Sequence, residues 1–277
     1  MRVRWMLPCT ALVGGFAAFF LRTVQNRTGF EPVSGLPIPG SPAALALLVL
    51  LALTALLLAV LAFRLDAHPA YPFEPGARAL LFLPVAGSFL VAAAGAADLA
   101  EAFGIEVLLR RSQNEIPDYY ITGDIITAEG VGINRQVQIL FGVLLLMSAL
   151  GLLVAALSSR RSEAGEKLLL IPPICLVVRL IAVYRVDSVN PVLEEYVMEL
   201  LSLTFLTLGF YGLSAFPFRA GRFRTFAFYA GCAVAFSLCA LADGGESLST
   251  PLLALGGSLT LLGFLLMGLA TPDDVSA

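Results

Sequence analysis

Apolar segments as long as a membrane is thick recur along the whole chain and constrain its fold more than any other feature. A helix needs roughly 20 predominantly apolar residues to cross the hydrocarbon core of a bilayer. No domain-sized polar linker interrupts these segments, so residues 1–277 are expected to form a single integral membrane domain. The sequence predicts an all-α bundle of about eight transmembrane helices, at residues 6–24, 43–63, 79–103, 137–157, 168–186, 191–216, 223–242 and 251–270.

The composition excludes most other classes of protein. Hydrophobic residues make up 58% of the chain and charged residues 13%, whereas a typical soluble domain carries about 25% charged residues. The net charge of −3 is also unlike the basic surface that a nucleic-acid-binding protein needs. A soluble enzyme, a disordered protein and a nucleic-acid binder are therefore excluded, and the lipid bilayer is the expected partner.

The first apolar segment shares its outline with a secretory signal peptide, because Arg2 and Arg4 precede an apolar stretch. A signal peptide ends in small residues at its cleavage site. This segment closes instead on two phenylalanines, a leucine and Arg22. We therefore expect the helix at residues 6–24 to be retained.

Basic residues are distributed unevenly between the two sides of the predicted bundle. Under the positive-inside rule, the side with more arginine and lysine in its short loops faces the cytoplasm. We therefore expect both termini to be cytoplasmic. The side of the termini carries ten basic residues, Arg2, Arg4, Arg64, Arg78, Arg160, Arg161, Lys167, Arg219, Arg222 and Arg224, and the other side carries six, Arg22, Arg27, Arg110, Arg111, Arg135 and Arg185.

Two connections on the predicted outer side have a distinct composition. Residues 22–42 are rich in proline and glycine, which predicts an ordered, turn-rich loop rather than a helix. Residues 104–136 form the longest connection and include Tyr119 and Tyr120. Tyrosine is enriched at membrane interfaces, so this connection is either an interfacial segment or a solvated loop.

Ionisable residues inside the predicted membrane helices mark candidate functional sites, because a charge in hydrocarbon is costly. Arg179 lies within the apolar fifth segment, and Glu199 lies within the sixth. At 1.5 Å per residue, both lie roughly 10–12 Å from the turn between their helices, so an antiparallel hairpin can pair them. Glu195, one turn from Glu199 on the same face, is a second candidate partner for Arg179.

The third segment adds two acids to this candidate site. Asp98 and Glu101 are three residues apart and share a helix face with small residues that permit close helix approach. The surplus of acids suits a cation better than an anion, with Asp98 and Glu101 at the outer mouth. The sixth helix also carries polar side chains at Ser202, Thr204, Thr207 and Tyr211. These side chains either form a polar lining that continues inward from the charged cluster or make ordinary hydrogen bonds of helix packing.

Two functions remain open at this point. The first is passage or sensing of a small solute or cation through the charged cluster. The second is a non-catalytic membrane scaffold or accessory subunit, whose buried charges fix the register of its helices. The only histidine, His68, cannot complete a zinc-protease motif. We predict no catalytic residue, cofactor or metal, and the sequence favours a protein that is not an enzyme.

Two stretches of the chain carry a resemblance to other proteins. The first is Arg27–Pro32 together with Gly35–Pro37, and the second is Asn190–Tyr196 running into Phe210–Phe216. In these stretches the chain resembles an uncharacterised family of bacterial multi-pass integral membrane proteins. The resemblance implies location in a bacterial cytoplasmic membrane, and it implies neither an activity nor any site residue.

Overall fold

The protein is all-helical in the parts that the structure describes. The computed structural model describes residues 2–31, 37–65, 78–105, 135–157, 168–187, 193–244 and 247–270. Within them the only strand-like pairing is one isolated bridge between Phe30 and Pro37. The helices are α1 (Arg2–Thr28), α2 (Pro42–Phe63), α3 (Phe82–Ala102, after a 3-10 turn at Arg78–Leu81), α4 (Arg135–Leu157), α5 (Ile171–Asp187), α6 (Leu193–Ser214), α7 (Phe223–Ala240) and α8 (Ser249–Leu269).

Seven of these eight helices are long enough and apolar enough to cross a bilayer. The exception is α5, whose 17 residues correspond to about 26 Å of helix and include Arg179 and Arg185. The prediction of a polytopic helical membrane protein is confirmed. Residues 106–134, most of the long predicted connection, lie outside the described residues.

The first helix continues further than the sequence predicted. The expected loop at residues 22–42 is wrong for its first part, because α1 extends to Thr28. Arg22 and Gln25 are buried and find polar partners in the bundle, so this turn of helix packs instead of unwinding. Within the described residues that follow, the Ile38 N–H donates to the Gly29 carbonyl at 2.8 Å and the Ser41 N–H donates to the Ile38 carbonyl at 3.2 Å.

Burial separates central helices from peripheral ones. In α8, 78% of the membrane-spanning window is buried, against 28% in α2. The exposed face of α2 is entirely apolar and consists mostly of leucine and valine, as expected for a surface in contact with lipid. Thr54, the one polar side chain of α2, is buried and donates to the Leu50 carbonyl of its own helix.

Small residues let α3 approach two neighbours closely. A methyl group added at Gly87 would lie 2.6 Å from the Gly256 carbonyl oxygen of α8, and one added at Gly95 would lie 2.9 Å from the Gly142 carbonyl oxygen of α4. Such contacts require glycine, because no side chain fits between the backbones. They hold α3 between α4 and α8, and Asp98 lies one turn beyond Gly95.

Contacts between chain segments define the two ends of the bundle. At one end, Gln138 near the start of α4 contacts Glu101 near the end of α3. We call this the Arg179 end. At the opposite end, Arg224 near the start of α7 contacts the carbonyl of Leu65, just after α2. We call this the Arg224 end.

Candidate functional site

An ion pair between α5 and α3 forms the centre of the candidate site. Arg179 Nη1 donates to Asp98 Oδ2 at 2.8 Å. Arg179 is 6% exposed and Asp98 is 3% exposed. A buried charge is tolerated when it is paired and hydrogen-bonded, and this geometry meets both conditions.

Two hydroxyl groups at the start of α8 complete the surroundings of the guanidinium. Arg179 Nη1 donates to Ser249 Oγ at 3.1 Å, and Nη2 donates to Thr250 Oγ1 at 3.3 Å. The guanidinium carbon also lies 5.8 Å from the centroid of the Phe141 ring on α4, within cation–π range. One side chain of α5 thus contacts α3, α4 and α8. The Nε atom of Arg179 is buried and has no hydrogen-bond partner among the described residues.

Glu199 on α6 reaches the same group of residues through a hydroxyl. Thr250 Oγ1 donates to Glu199 Oε1 at 3.5 Å while it accepts from Arg179. The sequence suggested a direct pair between Arg179 and Glu199, and the structure gives Asp98 as an ion-pair partner of Arg179. A direct coupling between Arg179 and Glu199 stays a prediction.

Glu101, one turn after Asp98 on α3, is held by neutral donors. Gln138 Nε2 donates to its Oε2 at 3.2 Å, and Ser247 Oγ donates to its Oε1 at 2.7 Å. The Ser247 hydroxyl in turn accepts the backbone N–H of Ser249, the first residue of α8, at 3.1 Å. Within the described parts of the chain, no basic side chain forms an ion pair with Glu101.

These contacts join most of the sequence-predicted cluster into one polar layer. The structure brings together Asp98, Glu101, Arg179 and Glu199 from α3, α5 and α6, whereas the side chain of Glu195 lies outside what the structure describes. We define the polar layer as these four residues together with Gln138, Ser247, Ser249 and Thr250.

The predicted lining on α6 has other partners. Thr204 and Thr207 donate to the Leu200 and Leu203 carbonyls of their own helix, each at 2.7 Å. Ser202 shares a 2.9 Å hydrogen bond with Ser237 of α7, and Tyr211 is 64% exposed. These are the contacts of ordinary helix packing, and a lining role for the four residues stays a prediction.

Sequence reasoning missed the contribution of the start of α8 and of the residues directly before it. Ser247, Ser249 and Thr250 are the polar residues that link Glu101, Arg179 and Glu199. A signal for them existed, because a serine- and threonine-rich run precedes the last apolar segment. The predicted topology also placed that run on the same side of the membrane as the acids of α3.

A second ion pair at the Arg179 end was also missed. Arg22 Nε on α1 donates to Oδ1 of Asp243, after α7, at 2.6 Å. Asn26 Nδ2 donates to the same oxygen at 2.9 Å, and Arg22 Nη1 donates to Gln25 Oε1 at 3.0 Å. The other carboxylate oxygen of Asp243 is buried without a hydrogen-bond partner in the described residues. The predicted helices 6–24 and 223–242 put Arg22 and Asp243 on the same side of the membrane, so the topology alone could have suggested this pair.

The comparisons with known proteins add no further assignment. No protein family matches the chain, and no curated protein or solved structure matches it either. Among the described residues, no group of three or more histidine, cysteine, aspartate or glutamate side chains is arranged to hold a metal ion.

Proposed function

We propose that this polytopic membrane protein passes or senses a small cation or polar solute at the polar layer of the Arg179 end. Three carboxylates, Asp98, Glu101 and Glu199, share this layer with the guanidinium of Arg179. An ionisable residue within a membrane helix is a functional candidate, since hydrocarbon makes its charge expensive. The chemistry of the layer suits a positively charged ligand.

The surroundings of Glu101 are the observation that carries this proposal. Its hydrogen-bond partners Gln138 and Ser247 are neutral donors, and Arg179 of α5 is paired with Asp98, one turn before Glu101 on α3. Removing a carboxylate from water costs free energy unless a positive charge compensates for the lost hydration. Glu101 is half-buried near the end of α3, where a cation from the aqueous phase can reach it.

In this proposal the Asp98–Arg179 pair has a positioning role. The guanidinium contacts α3 and α8 through hydrogen bonds, and the segment directly before α8 supplies Ser247 to Glu101. The pair therefore fixes the distance between the two elements that hold the Glu101 carboxylate. Binding at Glu101 and the integrity of the pair are expected to be coupled through α8.

The test is thermal unfolding of the detergent-purified protein during titration with NaCl or KCl at constant ionic strength, balanced with N-methyl-D-glucamine chloride. A ligand that binds only the folded state stabilises it by about 2.7 kcal/mol at 100 times its Kd. We expect stabilisation of the wild type, loss of the response in Glu101→Gln and a weaker response in Glu199→Gln.

The matched control is Asp243→Asn, which removes a carboxylate at the same end of the bundle but outside the polar layer. It is expected to keep the response of the wild type. A flat titration in the wild type, or equal responses in wild type and Glu101→Gln, would rule out a cation site at Glu101.

A second candidate function is a non-catalytic scaffold or accessory subunit. The observation that favours it is the deep burial and mutual pairing of Asp98 and Arg179, because such pairs can serve fold specificity alone. It predicts flat titrations together with a large loss of stability in Asp98 variants. For either function we propose a bacterial cytoplasmic membrane, with both termini on the cytoplasmic side.

A further inference from the structure

The Arg224 end of the bundle carries a group of exposed arginines. Arg64 follows α2, Arg219 and Arg222 lie in the turn between α6 and α7, and Arg224 lies in the first turn of α7; all four are exposed. We call these four residues the arginine patch. Each flanks a helix that is long and apolar enough to cross a bilayer, so the patch lies at the level of the lipid headgroups.

The turn between α6 and α7 is fixed by backbone hydrogen bonds. The Arg219 N–H donates to the Phe216 carbonyl at 2.9 Å, and the Ala220 N–H donates to the Ala215 carbonyl at 3.1 Å. Arg219 has a φ of +59°, a left-handed conformation that this closure requires. Phe216 and Phe223 on either side are buried. The arginines of the turn therefore project from a defined backbone.

A hydrogen bond joins this turn to the end of α2. Arg224 Nε donates to the Leu65 carbonyl oxygen at 2.6 Å. This contact brings the chain segment of Arg64 next to the start of α7, and it leaves the terminal guanidinium nitrogens of Arg224 for other partners. The four positive charges of the patch therefore belong to one surface.

The positive charge of this surface has no carboxylate to balance it within the described structure. None of the four arginines forms an ion pair with a described residue. Along the chain, the acids that flank the α6–α7 turn are Glu199 and Asp243, and both lie at the Arg179 end, whereas Asp66, which follows Leu65, lies outside the described residues. The patch thus presents several guanidinium groups to the membrane surface.

We propose that the arginine patch binds the phosphate groups of anionic phospholipids. Guanidinium groups donate paired hydrogen bonds to phosphate oxygens, and headgroup phosphates are the anions found at this depth of a bilayer. Phe218, 53% exposed in the same turn, offers an apolar side chain to the boundary between headgroups and acyl chains. Each basic residue near an anionic membrane surface strengthens binding about five-fold.

The experiment measures the thermal unfolding midpoint of the detergent-purified protein while phosphatidylglycerol or phosphatidylcholine is added to the micelles. We expect phosphatidylglycerol to raise the midpoint and phosphatidylcholine to leave it nearly unchanged. In the double variant Arg219→Asn, Arg222→Gln the half-saturating phosphatidylglycerol concentration should rise roughly 25-fold. Asparagine is chosen at position 219 because it tolerates a positive φ.

Two further variants separate binding from folding. Arg27→Gln removes an exposed arginine at the Arg179 end and should keep the wild-type response. The double variant Arg219→Lys, Arg222→Lys keeps both positive charges and should retain most of the response to phosphatidylglycerol. If the two arginines had a purely structural role, both double variants would lose the response. Equal responses to the two lipids, or an unchanged response in the neutral double variant, would overturn the proposal. If millimolar inorganic phosphate raised the unfolding midpoint as much as phosphatidylglycerol does, the ligand of the patch would be a soluble phosphate and not a lipid.

Discussion

Arg179 Nη1 and Asp98 Oδ2 lie 2.8 Å apart between α5 and α3, and both side chains are buried. This relationship determines how the two residues respond to substitution. Removing one partner of a buried pair leaves an uncompensated charge, which costs about 3–5 kcal/mol, whereas removing both leaves none. The effects of the two substitutions are therefore expected to be strongly non-additive.

The first prediction concerns this pair. Asp98→Asn should lower the free energy of unfolding by about 3–5 kcal/mol, because Arg179 then keeps its charge without a carboxylate. The double variant Asp98→Asn, Arg179→Met should lose less than the sum of the single variants, with a coupling energy of about 1–3 kcal/mol. The measurement is denaturant-induced unfolding in detergent micelles. Additive single effects would show that the pair contributes no coupling.

The second prediction concerns the ion pair of Arg22 and Asp243. Asp243→Asn should destabilise the protein by about 1.5–3 kcal/mol, because the hydrogen bonds it weakens involve charged groups and Arg22 stays buried. Asn26→Ala removes a neutral donor to the same oxygen and should cost only about 1 kcal/mol. The same unfolding assay compares the two variants. Equal losses would mean that the charge of Asp243 is not what stabilises α1 against the α7–α8 connection.

The third prediction tests the close contact of α3 and α8. A methyl group at Gly256 would lie 2.8 Å from the Gly87 carbonyl oxygen and 2.8 Å from the Val91 backbone nitrogen. Gly256→Ala must therefore push two backbones apart, and it should cost about 1–3 kcal/mol.

A glycine on α6 provides the matched control for this substitution. At Gly212 the nearest neighbour, Cα of Phe226, would lie 3.5 Å from an added methyl group. Gly212→Ala should be neutral or stabilising, by up to about 1 kcal/mol, because alanine favours the helix more than glycine does. Similar stabilities of the two alanine variants would contradict the tight α3–α8 contact.

The helical architecture was predictable because membrane thickness imposes a length on every spanning segment. All eight helices follow the predicted apolar segments, and the largest difference is at α1, which runs to Thr28. The hydropathy pattern ended that helix at residue 24, soon after the charged Arg22. It could not show that Asp243, more than 200 residues away, neutralises this charge inside the bundle.

The candidate site was only partly predictable, for a related reason. Helical spacing and topology placed Asp98, Glu101, Arg179 and Glu199 at one level of the bundle, and the structure joins them there. Spacing does not show which helices are neighbours across the bundle, so the partner chosen for Arg179 came from the adjacent helix in sequence. Arg179 reaches Asp98 of α3 together with Ser249 and Thr250 of α8, and this proximity is a tertiary property.

The last prediction concerns orientation in the membrane. Pro39→Cys introduces an exposed thiol between α1 and α2, and Ala220→Cys introduces one between α6 and α7, at opposite ends of the bundle. Because the basic residues are concentrated at the Arg224 end, that end should face the cytoplasm. In bacterial spheroplasts a membrane-impermeant maleimide should label Pro39→Cys directly and Ala220→Cys only after permeabilisation. Labelling of the wild type gives the background from its four native cysteines. The reverse pattern would show that the protein has the opposite orientation. Labelling of both thiols from one side would contradict their placement at opposite ends of the bundle.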